Sequence, residues 1–483
     1  MAHAYPLQSI NSRRLSVFLF GVTAAQPWYR ERIIKELYEA GLNVVVAKLA
    51  SDHSENVLKA IHRESETTMA AGIPSCTEVL PGDFSVLSPE VRGHIRRQYG
   101  EGCCVLPLSD YVTEYAAEMS GNFAEACYPV QSAQIVKRKH QLRALWNQLV
   151  SSSPSLLPVE YCYLELPENG TTPVRSYSQG FDDLPEDTRL IVKPDELSSS
   201  IEIHCAASKT EAMVIAHGVC ERLLSRWREM GKHIGTDVLP RVVIEAAIDR
   251  SCKLHTGGEF SIEFLSFREH HYVIGITQKW TGSNFMEIGH LFPAESLPAK
   301  LKFVVEKAVA SLLGQLKVRY AVSHWEFIVT SDERIALVEG HLRPAGGRIM
   351  ELVENSTGQS PIASLCKAMA DESTSFSFDP HVSCGLFWLI PEAPLTKVNH
   401  VVRTATTASP VIKDIYINES GIKAAENWSH STDWTTRFAH VLAIGDNVAE
   451  IMGYCRHVAS HIVLYGERDG VPAATPLKLA IDA

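Results

Sequence analysis

Several features are missing from this 483-residue chain, and each absence removes a class of function. There is no Cys-x-x-Cys spacing among its 11 cysteines, and only Cys103–Cys104 are adjacent, so zinc fingers, ribbons and thioredoxin-like redox motifs are excluded. The odd, irregular set also argues against a disulfide framework. It implies reduced thiols serving as small apolar core residues in a cytoplasmic protein. No apolar stretch approaches the roughly 20 residues needed to cross a bilayer. The run Leu15–Val22 turns at Gly21 and lacks the small-residue cleavage site of a secretory signal. Positive charge is not in surplus: a net charge of −11 gives no basic face for nucleic acid or an anionic membrane. A dinucleotide fingerprint is missing too, since Phe20-Gly21-Val22 carries one glycine only. Internal repeats and low-complexity tracts are absent.

What remains is an ordinary globular composition, 45% hydrophobic and 21% charged, in a chain long enough for two to four domains. Leu15–Phe20, a helical stretch Trp28–Ala40 closed by Gly41, and Asn43–Leu49 give a β-α-β order and hence a parallel α/β sheet over residues 1–127. A basic helix is expected over Val130–Val150, then a loop over Ser151–Glu186. Strands follow at Arg189–Lys193, Ile201–Cys205 and Arg241–Ala247, with a helix started by the Ser208/Glu211 capping box, for a second unit at 128–250. Strands Glu259–Phe267, His271–Lys279, Ser323–Thr330 and Ile335–Gly340, with a helix at Pro298–Leu316, make a third at 251–372. The pattern restarts at Ser383–Ile390 and ends with a helix, Asn447–Ala459, and a strand, His461–Tyr465. That suggests a separate C-terminal α+β unit at 373–483.

The last two strands of the third unit carry the strongest chemical signal. If Ser331–Arg334 is a hairpin turn centred on Asp332–Glu333, Glu326 faces Glu339 and His324 faces His341. Two glutamates directly opposite repel one another unless something compensates. A hard divalent cation sharing its shell with nucleotide phosphates would do so; the alternative is a solvated hairpin face with each charge screened. Lys193 leaves an apolar strand just before Pro194 and the small-hydroxyl loop Ser198–Ser200, centred on Ser199. Such a loop can cradle phosphate, or the lysine is simply an exposed strand end. Lys139 and Arg143 lie one helical turn apart and face one way, as a phosphate site or as a solvated basic face. Glu245 interrupts the apolar strand Val242–Ile248, a hinge able to offer backbone and carboxylate to an adenine edge.

Taken in order, Lys139 with Arg143, Leu190-Ile191-Val192-Lys193-Pro194, Val243-Ile244-Glu245, Gly258–Glu263, His324-Trp325-Glu326 and Glu339-Gly340-His341-Leu342-Arg343 resemble the ATP-grasp superfamily over residues 130–370. Phe285–His290 and Arg343–Gly347, with Arg437–Gly445, are similar to its L-amino-acid ligase branch. The resemblance implies an ATP-grasp fold with a parallel N-terminal α/β domain, a mobile central lid at about 185–245 and a C-terminal α+β unit. It implies ATP with Mg²⁺, Mn²⁺ being the alternative ion. Lys139, Lys193 and Ser199 would meet phosphates, Glu245 and the Ile248 backbone the adenine, and Glu259 the ribose. Glu326, Glu339 and His341 would hold the metal. Arg343 and His290 would stabilise the transferring phosphoryl group and the oxyanion that follows. Glu287 and His290, with Gly346 and Gly347, would line the substrate site. The implied reaction joins an amino acid or other small carboxylate to an amine through an acyl phosphate, in a protein compatible with a homodimer. Competing readings are another ATP-grasp chemistry, such as carboxylation, and a non-catalytic nucleotide-binding scaffold. The family pattern is departed from twice: His341 stands where Asn is usual, and Ser198–Ser200 replace a glycine-rich loop.

Overall fold

The computed structural model describes residues 16–20, 27–49, 76–80, 103–121, 127–151, 153–166, 173–197, 202–229, 240–249, 258–282, 285–371, 373–403, 411–419, 422 and 439–482. The loop Ser198–Ser200, with Ser199, lies outside these residues. β1 (Ser16–Phe20), α1 (Pro27–Glu39), β2 (Asn43–Leu49), β3 (Cys76–Leu80) and β4 (Cys103–Pro107) give a parallel sheet in the order β3-β2-β1-β4, as the β-α-β reading anticipates. A 3₁₀ turn, Asp110–Val112, and α2 (Thr113–Ser120) follow β4.

The helix expected over Val130–Val150 is two helices, α3 (Val130–Lys137) and α4 (Lys139–Val150), because Arg138 is extended at φ −93° and ψ 105°. Asp195 takes up the start of α4. Its carbonyl accepts from Lys139 N at 3.1 Å and its carboxylate from His140 N at 2.9 Å, the service an N-cap residue would render from within the helix.

The stretch expected to be a loop, Ser151–Glu186, contains two strands, β5 (Tyr161–Glu165) and β6 (Val174–Gln179). They join β7 (Leu190–Pro194), β8 (His204–Ala206) and β9 (Arg241–Ala246) in the antiparallel order β6-β5-β9-β7-β8. α5 (Lys209–Glu229) packs on this sheet around a separate core that includes Cys162, Leu190, Val219 and Ile244. Its Ser208/Glu211 box forms, with Glu211 N donating to Ser208 Oγ at 3.1 Å.

The third sheet uses β10 (Glu259–Phe267), β11 (His270–Thr281), β12 (Glu287–Phe292), β13 (Tyr320–Val329) and β14 (Ile335–His341), with α6 (Ala299–Gln315), α7 (Ile349–Thr357) and α8 (Pro361–Ala370). The C-terminal segment adds β15 (Ser383–Pro391), β16 (Lys397–Arg403), β17 (Ile412–Ile417), β18 (Ala439–Gly445), α9 (Val448–Ser460), β19 (Ile462–Arg468) and β20 (Val471–Leu479). This C-terminal segment has a core cluster of its own, including Phe387, Val441, Ile451 and Leu464, while its sheet is continuous with the third one. β15 pairs antiparallel with β12, so one sheet runs from β14 to β16. No described helix is long and apolar enough to cross a membrane. Among the described cysteines only Cys205 is exposed.

Strand alternation sorts the third sheet into two faces. Phe260, Ile262, Phe264, Trp325 and Phe327 point into the main core beside α6 and α8. Their neighbours Glu259, Ser261, Glu263, His324 and Glu326 point the other way and are nonetheless almost shielded from solvent. A polar face this dry demands internal pairing.

Candidate active site

The β13–β14 hairpin brings Glu326 opposite Glu339 and His324 opposite His341, as the sequence suggests, but by a different route. The turn centres on Asp332, with Val329 opposite Ile335, and a β-bulge at Val338 then shifts the pairing by one. The bulge restores the register at the charged positions. Glycine at 340 follows from its partner: a Cβ there would lie 2.4 Å from the ring of the fully buried Trp325.

Ligand atoms of Glu326, Glu339 and His341 lie within 4.8 Å of one another. Two carboxylates and an imidazole so placed fit a divalent cation whose shell phosphate oxygens complete, the carboxylates suiting Mg²⁺ or Mn²⁺ and the nitrogen ligand favouring Mn²⁺ over the harder Mg²⁺. Burial would push the Glu339 and Glu326 pKa values up. Lys139 and His341 around Glu339, and Lys279 and His324 around Glu326, hold both below the usual carboxylate range.

A cavity of about 500 Å³ opens beside this pair, between the third sheet and the β5–β9 sheet. Lys139, Arg143, Lys193, Glu245 and Ile248 line it together with Glu259, Glu326 and Glu339. Lys139 Nζ lies 3.5 Å from Glu339 Oε2 and also donates to Leu197 O. Glu245 does not offer a free carboxylate. Arg143 holds it at 3.0 and 3.3 Å and Lys193 at 2.7 Å, which brings it to about 2 against burial. Its side chain therefore anchors two cations, and the backbone from Ala246 to Ile248 is left to form the cavity edge. Burial, opposed by Glu245, lowers Lys193.

Farther along the same face, Lys279 of β11 joins the Glu326–Glu339 pair to the expected substrate residues. Its ammonium bonds Glu326 Oε1 at 2.5 Å and pairs with Glu287. Burial opposes this charge, yet Glu287 and Glu326 raise its pKa. Glu287 Oε2 lies 3.3 Å from His290 Nε2 without hydrogen-bond alignment, and His290 Nδ1 lies 3.2 Å from Gly347 O. Gly347 has φ +58°, and a Cβ there would sit 2.6 Å from His290 Cε1, whereas one at Gly346 would meet nothing within 4 Å. Arg343 is turned to Asp110, which also accepts from His341. His324 lies between Glu263 (2.8 Å) and Glu326 (2.9 Å), both acceptors, so the ring is an imidazolium. Burial opposes the charge, but the Glu263 and Glu326 carboxylates raise its pKa to about 9.

Most of the residues singled out from sequence thus gather on one sheet face and its cavity. Neither Lys279 nor Asp110 stands out in the sequence, and Glu263 does so only as the end of the Gly258–Glu263 motif. Lys279 shares the parity of Ser261 and Glu263 only once β10 is known to pair with β11, and Asp110 carries no local signal at all.

No protein-family model and no curated protein matches the chain. Solved structures do. An L-amino acid ligase from Bacillus licheniformis is similar at 15% identity and TM-score 0.65, covering 95% of this chain and 100% of that one. A phosphoribosylglycinamide synthetase from Anaerococcus prevotii matches at 11% identity and TM-score 0.58, over 93% and 99%. A biotin carboxylase from Campylobacter jejuni, solved as a β,γ-ATP complex, matches at 8% identity and TM-score 0.60, over 98% and 95%.

Proposed function

Since this chain has the ATP-grasp fold, we propose that it is an ATP-dependent ligase that activates a small carboxylate as an acyl phosphate and joins it to an amine, in the manner of the L-amino-acid ligases. The observation that carries the reading is one cavity lined by Lys139, Arg143 and Lys193 together with the Glu326–Glu339 pair, and an ion-pair link from Glu326 through Lys279 to Glu287.

A carboxylate is a poor acyl donor because its leaving group is bad, and transfer of the γ-phosphoryl group of ATP replaces that group with phosphate. Lys139 and Lys193 would neutralise the triphosphate, and the backbone at Ile248 would take the adenine edge. Glu326, Glu339 and His341 would hold the divalent cation, which supplies charge neutralisation across the phosphates. Lys279 pairs with both Glu287 and Glu326 and fixes them, and it helps hold Glu326 below the usual carboxylate range. Glu287, with the Gly346–Gly347 backbone, would seat the amino-acid substrate. Arg343 and His290 would stabilise charge on the transferring phosphoryl group and then the tetrahedral oxyanion formed when the amine attacks. The β5–β9 sheet, with its own core, is suited to close over the cavity and keep water from the acyl phosphate.

The test is an ADP- and phosphate-release screen with Mg·ATP against pairwise mixtures of amino acids, followed by mass spectrometry. Release that requires one pair, with a product of their summed mass less water, establishes the ligase. Release that requires bicarbonate instead points to carboxylation, the activity named for one of the similar structures. AMP and pyrophosphate would refute the acyl-phosphate route.

A further inference from the structure

We propose that Asp110, supplied by the N-terminal unit, is a positioning residue that fixes the geometry of both Arg343 and His341, an inference that rests on the ligase reading above. Asp110 begins the 3₁₀ turn after β4, far from both partners in sequence. Its Oδ1 lies 2.7 Å from His341 Nδ1, and its Oδ2 accepts from Arg343 Nε at 3.0 Å and Nη2 at 2.7 Å.

An ionised carboxylate offers only acceptors, so His341 Nδ1 carries the proton in that contact. The ring then presents Nε2 to the carboxylate pair, 3.2 Å from Glu339 Oε1, the orientation in which a histidine held by a carboxylate can serve a metal. The second oxygen of Asp110 engages two N–H groups on one edge of the Arg343 guanidinium and so sets its plane, while Nη1 donates to Pro344 O at 3.0 Å. Tyr128 adds a brace, its hydroxyl lying 3.4 Å from Leu342 O and 3.3 Å from Thr113 O. The backbone between His341 and Arg343 is thereby tied to α2. The N-terminal unit thus sets two atoms that a small displacement would take out of register with a transferring phosphoryl group.

The experiment compares full-length wild type with Asp110→Asn, which keeps shape and removes charge. Mn²⁺ affinity is read by electron paramagnetic resonance with a non-hydrolysable ATP analogue, turnover by ADP release, and metal-free nucleotide affinity in EDTA. The expected result is about a 10- to 100-fold loss in both Mn²⁺ affinity and kcat, with metal-free nucleotide affinity within about twofold of wild type. In a His341→Gln background the substitution should cost little further Mn²⁺ affinity, because the imidazole it orients is gone, yet should still lower kcat through Arg343. Equal loss of all three readouts would mean that Asp110 only stabilises the fold, and wild-type values would remove it from the site altogether. Should Asp110→Asn not fold, Asp110→Glu serves the same comparison, since it keeps the charge and displaces it by one methylene. Intermediate losses then support the role, and unchanged Mn²⁺ affinity and kcat overturn it. Wild type lacking both nucleotide-dependent Mn²⁺ binding and ADP release would overturn the ligase reading itself. An active wild type matched by Asp110→Asn would overturn only the role of Asp110.

Discussion

Glu245→Gln should destabilise the protein by about 3 kcal/mol or more, the range expected when one partner of a buried ion pair is removed. The wild-type carboxylate is 4% exposed and faces two cations, Arg143 at 3.0 Å and Lys193 at 2.7 Å. After substitution Arg143 keeps its contacts to the carbonyls of Leu337 at 2.5 Å and Val338 at 3.5 Å, whereas Lys193 loses its charged partner. The lysine can escape by shedding its proton. Moving from an ordinary 10.5 to a working pH of about 7 costs roughly 5 kcal/mol at 1.36 kcal/mol per unit, which caps the penalty. Water in the adjoining cavity of about 500 Å³ brings the cost below that cap. Urea unfolding followed by tryptophan fluorescence gives the loss as a shift in midpoint at unchanged slope. Adding Lys193→Met to Glu245→Gln should recover part of the stability, because both charges then leave together. A loss under about 1 kcal/mol, the level of an exposed pair, would refute the argument that these charges sustain one another.

Three further expectations follow from the site and its surroundings. Glu339→Gln should reduce turnover about 100-fold and weaken Mn²⁺ binding measured by paramagnetic resonance, and near-normal metal affinity would count against the Glu326–Glu339–His341 assignment. Gly347→Ala should lower stability by about 1–3 kcal/mol in thermal melts, from its left-handed φ of +58° and the 2.6 Å approach to His290, while Gly346→Ala should leave the melt unchanged. Equal melts for the two variants would show that the loop yields freely. Burial, then the neighbouring Glu36 carboxylate, pushes Glu354 up to about 7. The folded protein therefore holds an extra proton between the ordinary 4.5 and about 7, and this group's contribution to stability falls as pH rises through that window. Glu354→Gln should flatten the fall, and an unchanged pH profile of melting would exclude it.

The parts of the site legible in sequence were those written in local periodicity. Glu326 and Glu339 could be paired because a short turn joins their strands and side chains alternate. Lys193 and Glu245 stood out as charges ending or interrupting apolar strands, and both lie where β7 pairs with β9. Contacts spanning distant segments left no such trace. Asp110 meets His341 across 231 positions, and nothing around Ser109-Asp110-Tyr111 marks it. The break at Arg138 was hidden for the same reason: the helical pattern runs on, and the residue that takes up the new helix start, Asp195, is supplied from β7's far end. β5 and β6 leave little trace because they are short, lie in a stretch rich in Ser, Pro and Gly, and β6 is largely exposed, giving no hydrophobic period to read.

The extra residue at Val338 makes the proposed metal-binding pair depend on a count as much as on a composition. Between Glu326 and Glu339 the number of residues is fixed by a turn centred on Asp332 and one unpaired position. Substitutions at the exposed tip leave that number alone and should be tolerated by descendants of this sequence. Drawing Val338 into a regular ladder would turn Glu339 and His341 toward the apolar core, since a one-residue slip exchanges the two faces of a strand, whereas removing the residue would leave Glu339 directly after Leu337 and still opposite Glu326. The facing of the two glutamates is therefore sensitive to whether Val338 stays out of the ladder, more than to which residues fill the tip.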